Sequence, residues 1–151
     1  MKTVKIKIKR LSRSAKQPTY GSFFAACADI FADPREADGT ISTITIPAYG
    51  TAKIPIGWAM QPPIDHFIRI QSRSGLASKG IFVEAGIVDE DFRGEIQVVL
   101  YNSTDKPFTV ASGDKIAQIE IRPYKQARFD IVKELSDTIR GANGFGSTGT
   151  N

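Results

Sequence analysis

Short apolar runs separated by prolines constrain the fold of this chain more than any other feature of its sequence. The runs are rich in β-branched and aromatic residues and have the length of strands. Only the stretch 74–79 looks able to form a short helix. Short strands without helical periodicity predict an all-β sandwich or barrel. The predicted strands are 4–8, 41–46, 51–56, 67–71, 80–83, 96–101, 108–110, 116–122 and 129–133.

The first predicted strand alternates Val4, Ile6 and Ile8 with lysines. This period of two indicates one face in the core and one face in water. We interpret the lysines as a solvated face or a protected sheet edge. A nucleic-acid stripe is disfavoured because no aromatic residues interleave the lysines, so we expect no nucleic-acid partner.

Size and composition fit one ordered domain. The chain has 151 residues and a formal net charge of +4, which suits a polyanionic ligand but is too small to argue for nucleic acid. No apolar run approaches membrane-spanning length, and the lysine-rich start lacks the apolar region of a signal peptide. The single cysteine, Cys27, fits a reducing compartment. We therefore expect a cytoplasmic or nuclear protein that contacts no membrane.

An acidic cluster lies between the predicted strands 80–83 and 96–101 and predicts the tip of a β-hairpin. Asp89 follows apolar residues, so we expect it to be partly shielded from water, which raises the basicity of a carboxylate. Phe92 adds an apolar ring that needs a cover. Gly86 would allow a ligand to approach the backbone. Together these residues predict a small pocket with a base, a ring and bare amides.

The C-terminal stretch differs in kind, because it is rich in glycine and nearly without core residues. Arg140, Ser147 and Thr148 among glycines provide the donors and open amides that a phosphate-binding loop needs. The stretch has neither the Walker pattern nor the dinucleotide fingerprint. We predict a barrel domain at 1–135 and a flexible arm at 136–151 that closes over a bound ligand.

Five stretches together resemble the trimeric dUTPase family, in the order and spacing of that family. The resemblance implies a jelly-roll-like β-barrel (a β-clip) that forms a homotrimer, with each active site built from all three chains. It implies hydrolysis of dUTP to dUMP and pyrophosphate, which limits uracil incorporation into DNA and supplies dUMP. The stretches are 25–30, 73–77, 85–94, 113–118 and 140–149.

The resemblance assigns catalytic roles to four residues and a cofactor contact to a fifth. Asp89 matches the carboxylate that activates water for attack on the α-phosphorus. Arg73 and Gln118 match phosphate contacts, and Arg140 matches a contact of the arm to the γ-phosphate. Mg²⁺ is expected on the triphosphate, with Asp29 reaching only its water shell and no direct protein ligand.

The resemblance also implies how the nucleoside is recognised. Backbone groups of the hairpin would pair with uracil, Phe92 would lie under the deoxyribose, and Phe145 would cover the base. The implied substrate-binding positions are Ser74, Gly75, Val83, Ala85, Gly86, Ile87, Phe92, Phe145, Gly146, Ser147 and Thr148.

Two positions depart from the family pattern. Phe92 stands where the family usually has Tyr, which keeps the ring and loses a hydroxyl. Cys27-Ala28 replaces Gly-Tyr, and we interpret Cys27 as a small buried hydrophobe rather than a nucleophile. The single histidine, His66, is interpreted as a surface or strand-end residue rather than a metal ligand.

The sequence argues against three other functions. dCTP deaminase shares the fold but needs a glutamate where this chain has Val99, which cannot transfer a proton. A non-catalytic trimer that binds nucleotides or proteins is disfavoured by retention of Asp89, Arg73 and Gln118. A single-strand nucleic-acid binder is opposed by the acidic hairpin tip.

Overall fold

The computed structural model of the protein describes residues 3–144, and strands dominate this range. The single helix of the described range, α1, is Ser74–Ala77. The strands are β1 (Lys7–Arg10), β2 (Thr19–Tyr20), β3 (Ala28–Phe31), β4 (Thr43–Ile46), β5 (Thr51–Pro55), β6 (Trp58–Gln61), β7 (His66–Gln71), β8 (Ile81–Glu84), β9 (Ile87–Val88), β10 (Gln97–Asn102), β11 (Phe108–Ala111) and β12 (Lys115–Pro123).

The strands form four small sheets around one core, which confirms the predicted all-β fold. The largest sheet has the order β2-β3-β12-β7-β9, and a second has the order β5-β10-β8. Strand pairs β1-β6 and β11-β4 complete the barrel. All of these pairings are antiparallel. The nine-residue β12 lies at the centre of the largest sheet.

Isoleucine fills most of the core, because β-branched side chains pack well on pleated sheet surfaces. Each strand of the two larger sheets apart from β2 and β9 sends at least one fully or nearly fully buried apolar side chain inward. The most deeply buried members are Ile30, Ile46, Ile54, Ile56, Ile68, Ile81, Ile96, Leu100, Ile116, Val98 and Val110.

Sequence prediction located most strands but missed two that are buried along most of their length. All four residues of β3 and the first three of β6 are buried, so neither strand shows the alternation that marks a half-exposed strand. The two-residue strands β2 and β9 were also not predicted. In the first strand the pattern was right for Ile6 and Ile8, which pack on the core. Val4 lies outside β1 and is exposed.

The predicted strand at 129–133 is wrong. The described chain after Pro123 contains no strand, and residues 125–143 are exposed. Phe129 is 90% exposed and Ile131 is fully exposed. The segment has the composition of a strand but no neighbouring strand in this chain with which to pair, and an isolated strand leaves its backbone groups without partners.

The predicted hairpin is present in an elaborated form. Strands β8 and β10 pair with Val99 opposite Glu84. Between them the chain turns away and forms β9, which pairs with β7 through Ile87 and Val88. The acidic tip follows β9, where the Phe92 amide donates to the Asp89 carbonyl at 3.2 Å. The tip is therefore held by a different sheet from the strands that lead to it.

Within residues 3–144 no helix is both long and apolar enough to cross a membrane. The predicted cytoplasmic or nuclear location stays a prediction.

Candidate active site

A cavity of about 410 Å³ lies between the acidic tip and the sheet β5-β10-β8. Four of the residues singled out in the sequence line it: Ala85, Ile87, Asp89 and Phe92. The cavity therefore joins a carboxylate, an aromatic ring and the backbone at the end of β8, as the sequence predicted.

The corner between β8 and β9 gives this cavity its wall. Ala85 adopts a left-handed conformation with φ of 48°, which turns the chain sharply after β8. The Gly86 carbonyl then accepts a hydrogen bond from the Ile70 amide at 2.7 Å. A Cβ atom on Gly86 would collide with the Ile70 carbonyl oxygen. The close approach that requires glycine at this position is thus made by β7, where the sequence suggested a ligand.

Asp89 lies one residue beyond β9 and is exposed in the single chain. The predicted shielding of this carboxylate is therefore wrong for one protomer. The reason is its place on a projecting tip, which has a cavity on each side. Asp89 lines both the 410 Å³ cavity and a second cavity of about 570 Å³.

The polar cavity-lining residues Lys53, Glu95 and Gln97 were not predicted as site residues, and they come from β5, β10 or the loop before β10. Lys53 reaches the site only because β5 pairs with β10, which places it opposite Val99. No local pattern signals such a long-range pairing. Val99 itself faces the cavity, so the position that a deaminase would need for its glutamate holds an apolar side chain.

A second group of predicted residues gathers around Asp29 on β3. Arg73 Nε donates to one oxygen of its carboxylate at 2.9 Å, and Lys115 Nζ contacts the other at 2.9 Å. Burial alone would raise the pKa of Asp29, but the hydrogen bonds and charges of Lys115 and Arg73 outweigh it, and the net pKa is lowered. Asp29 is therefore a carboxylate ion that orients two cations at the surface.

Gln118 belongs to the same group. It lies opposite Asp29 in the β12–β3 register and opposite Gln71 in the β12–β7 register. Its side-chain amide donates to the Ser72 carbonyl at 3.0 Å, which fixes the turn into α1. Ser74 and Gly75 follow in α1 and are exposed. A Cβ atom on Gly75 would meet nothing within 4 Å, so the backbone here is open to a ligand.

The two groups are separated within one chain. Val88, next to Asp89, lies opposite Ile68, which in turn lies opposite Ile121 on β12. Gln118 is three residues along β12 from Ile121, so strand geometry separates Val88 from Gln118 by about 10 Å along the strands and about 10 Å across them. Within the described chain, the lining of the 410 Å³ cavity includes neither Gln118 nor Arg73.

The comparisons with known proteins point to one family. The dUTPase family model matches residues 40–149. The chain is 39% identical over 143 residues to the deoxyuridine 5′-triphosphate nucleotidohydrolase of Paramecium bursaria Chlorella virus 1, covering 94% of this chain and 96% of that one. It is 40% identical to the Saccharomyces cerevisiae enzyme of the same name, over 95% of this chain and 94% of that one.

The chain belongs to the dUTPase family. This confirms the family predicted from the five stretches. The solved structure of the Staphylococcus bacteriophage 80alpha dUTPase with dUPNHPP superposes with a TM-score of 0.85, covering 98% of this chain and 100% of that one. At 24% identity this likeness shows the fold alone, and it supports the predicted barrel.

The positions where this dUTPase departs from the family pattern have clear surroundings. Phe92 is 43% exposed at the edge of the cavity, and its ring packs over Gly94. Cys27 is half-buried rather than fully buried as expected. Burial, followed by the negative charge of Glu120, raises the pKa of its thiol, which disfavours the thiolate that a nucleophile requires. His66 begins β7, with Nδ1 at 2.8 Å from the Ile64 carbonyl, as expected for a strand-end residue.

An ion-paired network supports the cavity of this dUTPase from behind. Asp33 is fully buried and accepts hydrogen bonds from Ser14 Oγ at 2.5 Å and from Arg35 Nη1 at 2.8 Å. Arg35 Nη2 donates to both oxygens of Glu95, at 2.7 and 2.8 Å. Glu95 also accepts from the Gly57 amide at 2.9 Å. The network thus links the interior to a cavity-lining carboxylate, and no local pattern in the sequence predicts it.

The arm is described only at its start. Arg140 is exposed and its Nε donates to the Asn143 carbonyl at 2.9 Å, so it contacts neither group of site residues here. The predicted binding residues Phe145, Gly146, Ser147 and Thr148 lie outside the described residues.

The residues around Asp29 offer no direct ligand set for a metal ion in the described part of the chain. Within the described range, no group of three or more His, Cys, Asp or Glu side chains is placed to hold one. Both Asp29 oxygens already contact cations, which opposes direct ligation by Asp29. Each carboxylate oxygen keeps a further lone pair that can accept from a metal-bound water. The residues therefore fit an ion that arrives on a polyphosphate.

Proposed function

We propose that this dUTPase hydrolyses dUTP to dUMP and pyrophosphate, with Asp89 activating the water that attacks the α-phosphorus. The observation that carries the proposal is the 410 Å³ cavity that unites Asp89, Phe92 and the backbone around Ala85 and Ile87. Membership in the dUTPase family makes the chain a dUTP diphosphatase, as the sequence predicted.

The cavity provides the parts that nucleoside recognition requires. The backbone at the β8–β9 corner is rigid because the Gly86 carbonyl accepts a hydrogen bond from the Ile70 amide of β7. Its fixed donors and acceptors would discriminate uracil from cytosine. The Phe92 ring would lie against the deoxyribose and block a ribose hydroxyl. Asp89 at the rim would then orient a water toward the first phosphorus.

The cluster of Arg73, Lys115 and Gln118 would bind the phosphates. Two cations beside Asp29 supply positive charge, and Arg73 is held ready by its ion pair. Such preorganised cations stabilise the charge that develops on a leaving pyrophosphate. The predicted Mg²⁺ would be held by triphosphate oxygens and water, with Asp29 contacting only its water shell, and would neutralise phosphate charge.

A homotrimer with shared active sites would unite the two groups. Their separation within one chain supports this, since a neighbouring protomer would bring its own phosphate cluster to the Asp89 cavity. The exposed apolar side chains of Phe129, Ile131, Leu135 and Ile139 also need a cover, which another protomer would give. The arm from 136 onward would then close over the nucleotide and add Arg140 to the γ-phosphate.

The test is Asp89→Asn, which keeps the size of the side chain and removes the base. We expect dUTP binding to persist while pyrophosphate release falls by about 10²–10⁴-fold, the usual contribution of a general base. Asp105→Asn, in the exposed turn between β10 and β11, is the matched control and should turn over like the wild type.

Pyrophosphate release should be measured with dUTP, dCTP, dTTP and UTP side by side, with and without Mg²⁺. Near-normal turnover by Asp89→Asn would show that Asp89 is not the base. A wild-type protein that releases no pyrophosphate from dUTP would refute the activity itself.

A further inference from the structure

Three separate segments meet at the carboxylate of Glu90, the residue that follows Asp89. The Tyr124 hydroxyl donates to Glu90 Oε2 at 2.8 Å. The Asp65 amide donates to the same oxygen at 2.8 Å. The Asp65 carbonyl in turn accepts from the Tyr124 amide at 3.0 Å. We call Glu90, Tyr124 and Asp65 the Glu90 latch.

The latch joins the acidic tip to the body of the barrel. Within the tip, Arg93 Nη1 donates to the carbonyls of Glu90 and Phe92, at 2.6 and 2.9 Å. With the turn from Asp89 to Phe92, these bonds make the tip a compact unit. Strand β9 ties that unit to β7 through two residue pairs. The Glu90 carboxylate adds a tie on the opposite side of Asp89 from β9.

Tyr124 occupies a distinctive place in the chain. It is the first residue after β12, so it marks the point where the chain leaves the barrel toward the arm. Its ring packs edge-on against Phe67 with centroids 6.4 Å apart. The hydrogen bond to Glu90 is the largest cause of a raised pKa for the Tyr124 hydroxyl, as expected for a phenol that donates to a carboxylate.

The second cavity, of about 570 Å³, lies directly against the latch. Its walls include Asp89, Glu90, Phe67 and Tyr124. Asp89 thus borders two cavities, this one and the 410 Å³ cavity, which is called the nucleoside cavity below because we propose that the nucleoside binds there. A tip with open space on both sides needs a tie to keep its carboxylate in one position, because proton transfer to a general base demands close geometry.

We propose that Glu90 and Tyr124 are positioning residues that hold the Asp89 carboxylate in place for water activation and tie it to the point where the chain leaves the barrel after β12. This rests on the proposed function of Asp89. The nucleoside cavity is lined by neither Glu90 nor Tyr124 among its described residues. The latch therefore acts on the rate of the chemical step rather than on the affinity for the nucleotide.

The experiment compares kcat and KM for dUTP in Tyr124→Phe, Glu90→Ala and Glu90→Gln. Tyr124→Phe keeps the ring contact with Phe67 and removes only the donor. For Tyr124→Phe and Glu90→Ala we expect kcat to fall about tenfold with KM changed less than about twofold, since a misplacement near 1 Å costs up to about 100-fold. Glu90→Gln keeps an acceptor oxygen and should retain most of the wild-type kcat.

Two further variants distinguish a positioning role from a general loss of stability. The double variant Glu90→Ala/Tyr124→Phe should lose no more kcat than the worse single variant, because both changes break the same bond. Tyr49→Phe removes a hydroxyl from an exposed tyrosine, 66% exposed, and is the matched control with unchanged kcat. Thermal melts of each variant show whether it is folded.

Wild-type kcat in Tyr124→Phe, alongside a slow Asp89→Asn, would overturn the latch and leave the proposed function standing. A change in KM alone would also overturn it, as would additive losses in the double variant. If Glu90→Ala does not fold, Tyr124→Phe and Glu90→Gln decide the matter. If the wild type itself fails to hydrolyse dUTP, the proposed function and the latch fall together.

Discussion

Gly86→Ala is the substitution for which the structure makes the sharpest prediction. The Ile70 amide donates a hydrogen bond to the Gly86 carbonyl at 2.7 Å, so the two backbone segments lie in close contact. The added methyl group would collide with the Ile70 carbonyl oxygen. Because that oxygen belongs to the backbone of a central strand, it cannot rotate away as a side chain would. The corner between β8 and β9 must move instead.

The cost has two parts. Overpacking against a fixed neighbour costs about 1–3 kcal/mol. Lengthening or breaking the hydrogen bond from the Ile70 amide to the Gly86 carbonyl costs about 0.5–1.5 kcal/mol more. We therefore expect the free energy of unfolding to fall by about 1.5–4.5 kcal/mol. For a domain of this size that lowers Tm by about 3–18 °C. Because the same corner walls the 410 Å³ cavity in which we propose that the nucleoside binds, KM for dUTP should rise as well.

Differential scanning calorimetry with a dUTP turnover assay measures both effects. Gly21→Ala is the control for stability, because a Cβ atom there meets nothing within 4 Å. Gly75→Ala should be at least as stable as the wild type, since its Cβ atom also meets open space and alanine favours a helix. A Gly86→Ala protein that melts with the wild type would refute the reasoning, because the collision would then cost nothing.

The buried network around Asp33 and the ion pairs of Asp29 give two more predictions. Arg35→Ala leaves the fully buried Asp33 without its cation, so the free energy of unfolding measured in urea should fall by about 3–5 kcal/mol. The control is Arg13→Ala, which removes an exposed arginine. A loss in Arg35→Ala no larger than the loss in Arg13→Ala would contradict this prediction. Asp29 has a lowered pKa because its two cationic partners outweigh its burial, so its contribution to stability is present above its ordinary pKa and is lost as pH falls through the lowered value. Urea midpoints followed from pH 6 to pH 3 should therefore fall less steeply for Asp29→Asn than for the wild type, and parallel curves would count against the ion pairs.

The sequence predicted the strands of the barrel where one face of the strand is exposed to solvent. In the segment that leads into β1, lysines alternate with Ile6 and Ile8, and the structure keeps that alternation, with the lysines exposed and both isoleucines packed on the core. Strand β3 is buried along its whole length and contains the ion-paired Asp29, so neither alternation nor polarity marked it. The segment around Phe129 failed in the opposite way, because a strand-like composition cannot reveal whether a partner strand exists in the same chain.

The site was readable where its residues are close in sequence. Ala85, Ile87, Asp89 and Phe92 fall within one stretch, and the structure brings them to one cavity. Lys53 reaches that cavity only through the β5–β10 pairing, which no local pattern encodes. The exposure of Asp89 was missed for a related reason. The apolar residues before it in sequence belong to β9, which ends one residue before Asp89, and they leave Asp89 exposed.

Strand β12 carries Gln118, which donates to the Ser72 carbonyl before α1, and is followed at once by Tyr124, which donates to Glu90. Side chains alternate between the two faces of a strand, so one inserted or deleted residue between them would turn every side chain on one side of the change to the wrong face. The length of this stretch therefore sets the spacing between the residues around Asp29 and the Glu90 latch. Changes in chain length are tolerable in the turns, such as the exposed one at Asp105, and are not tolerable here.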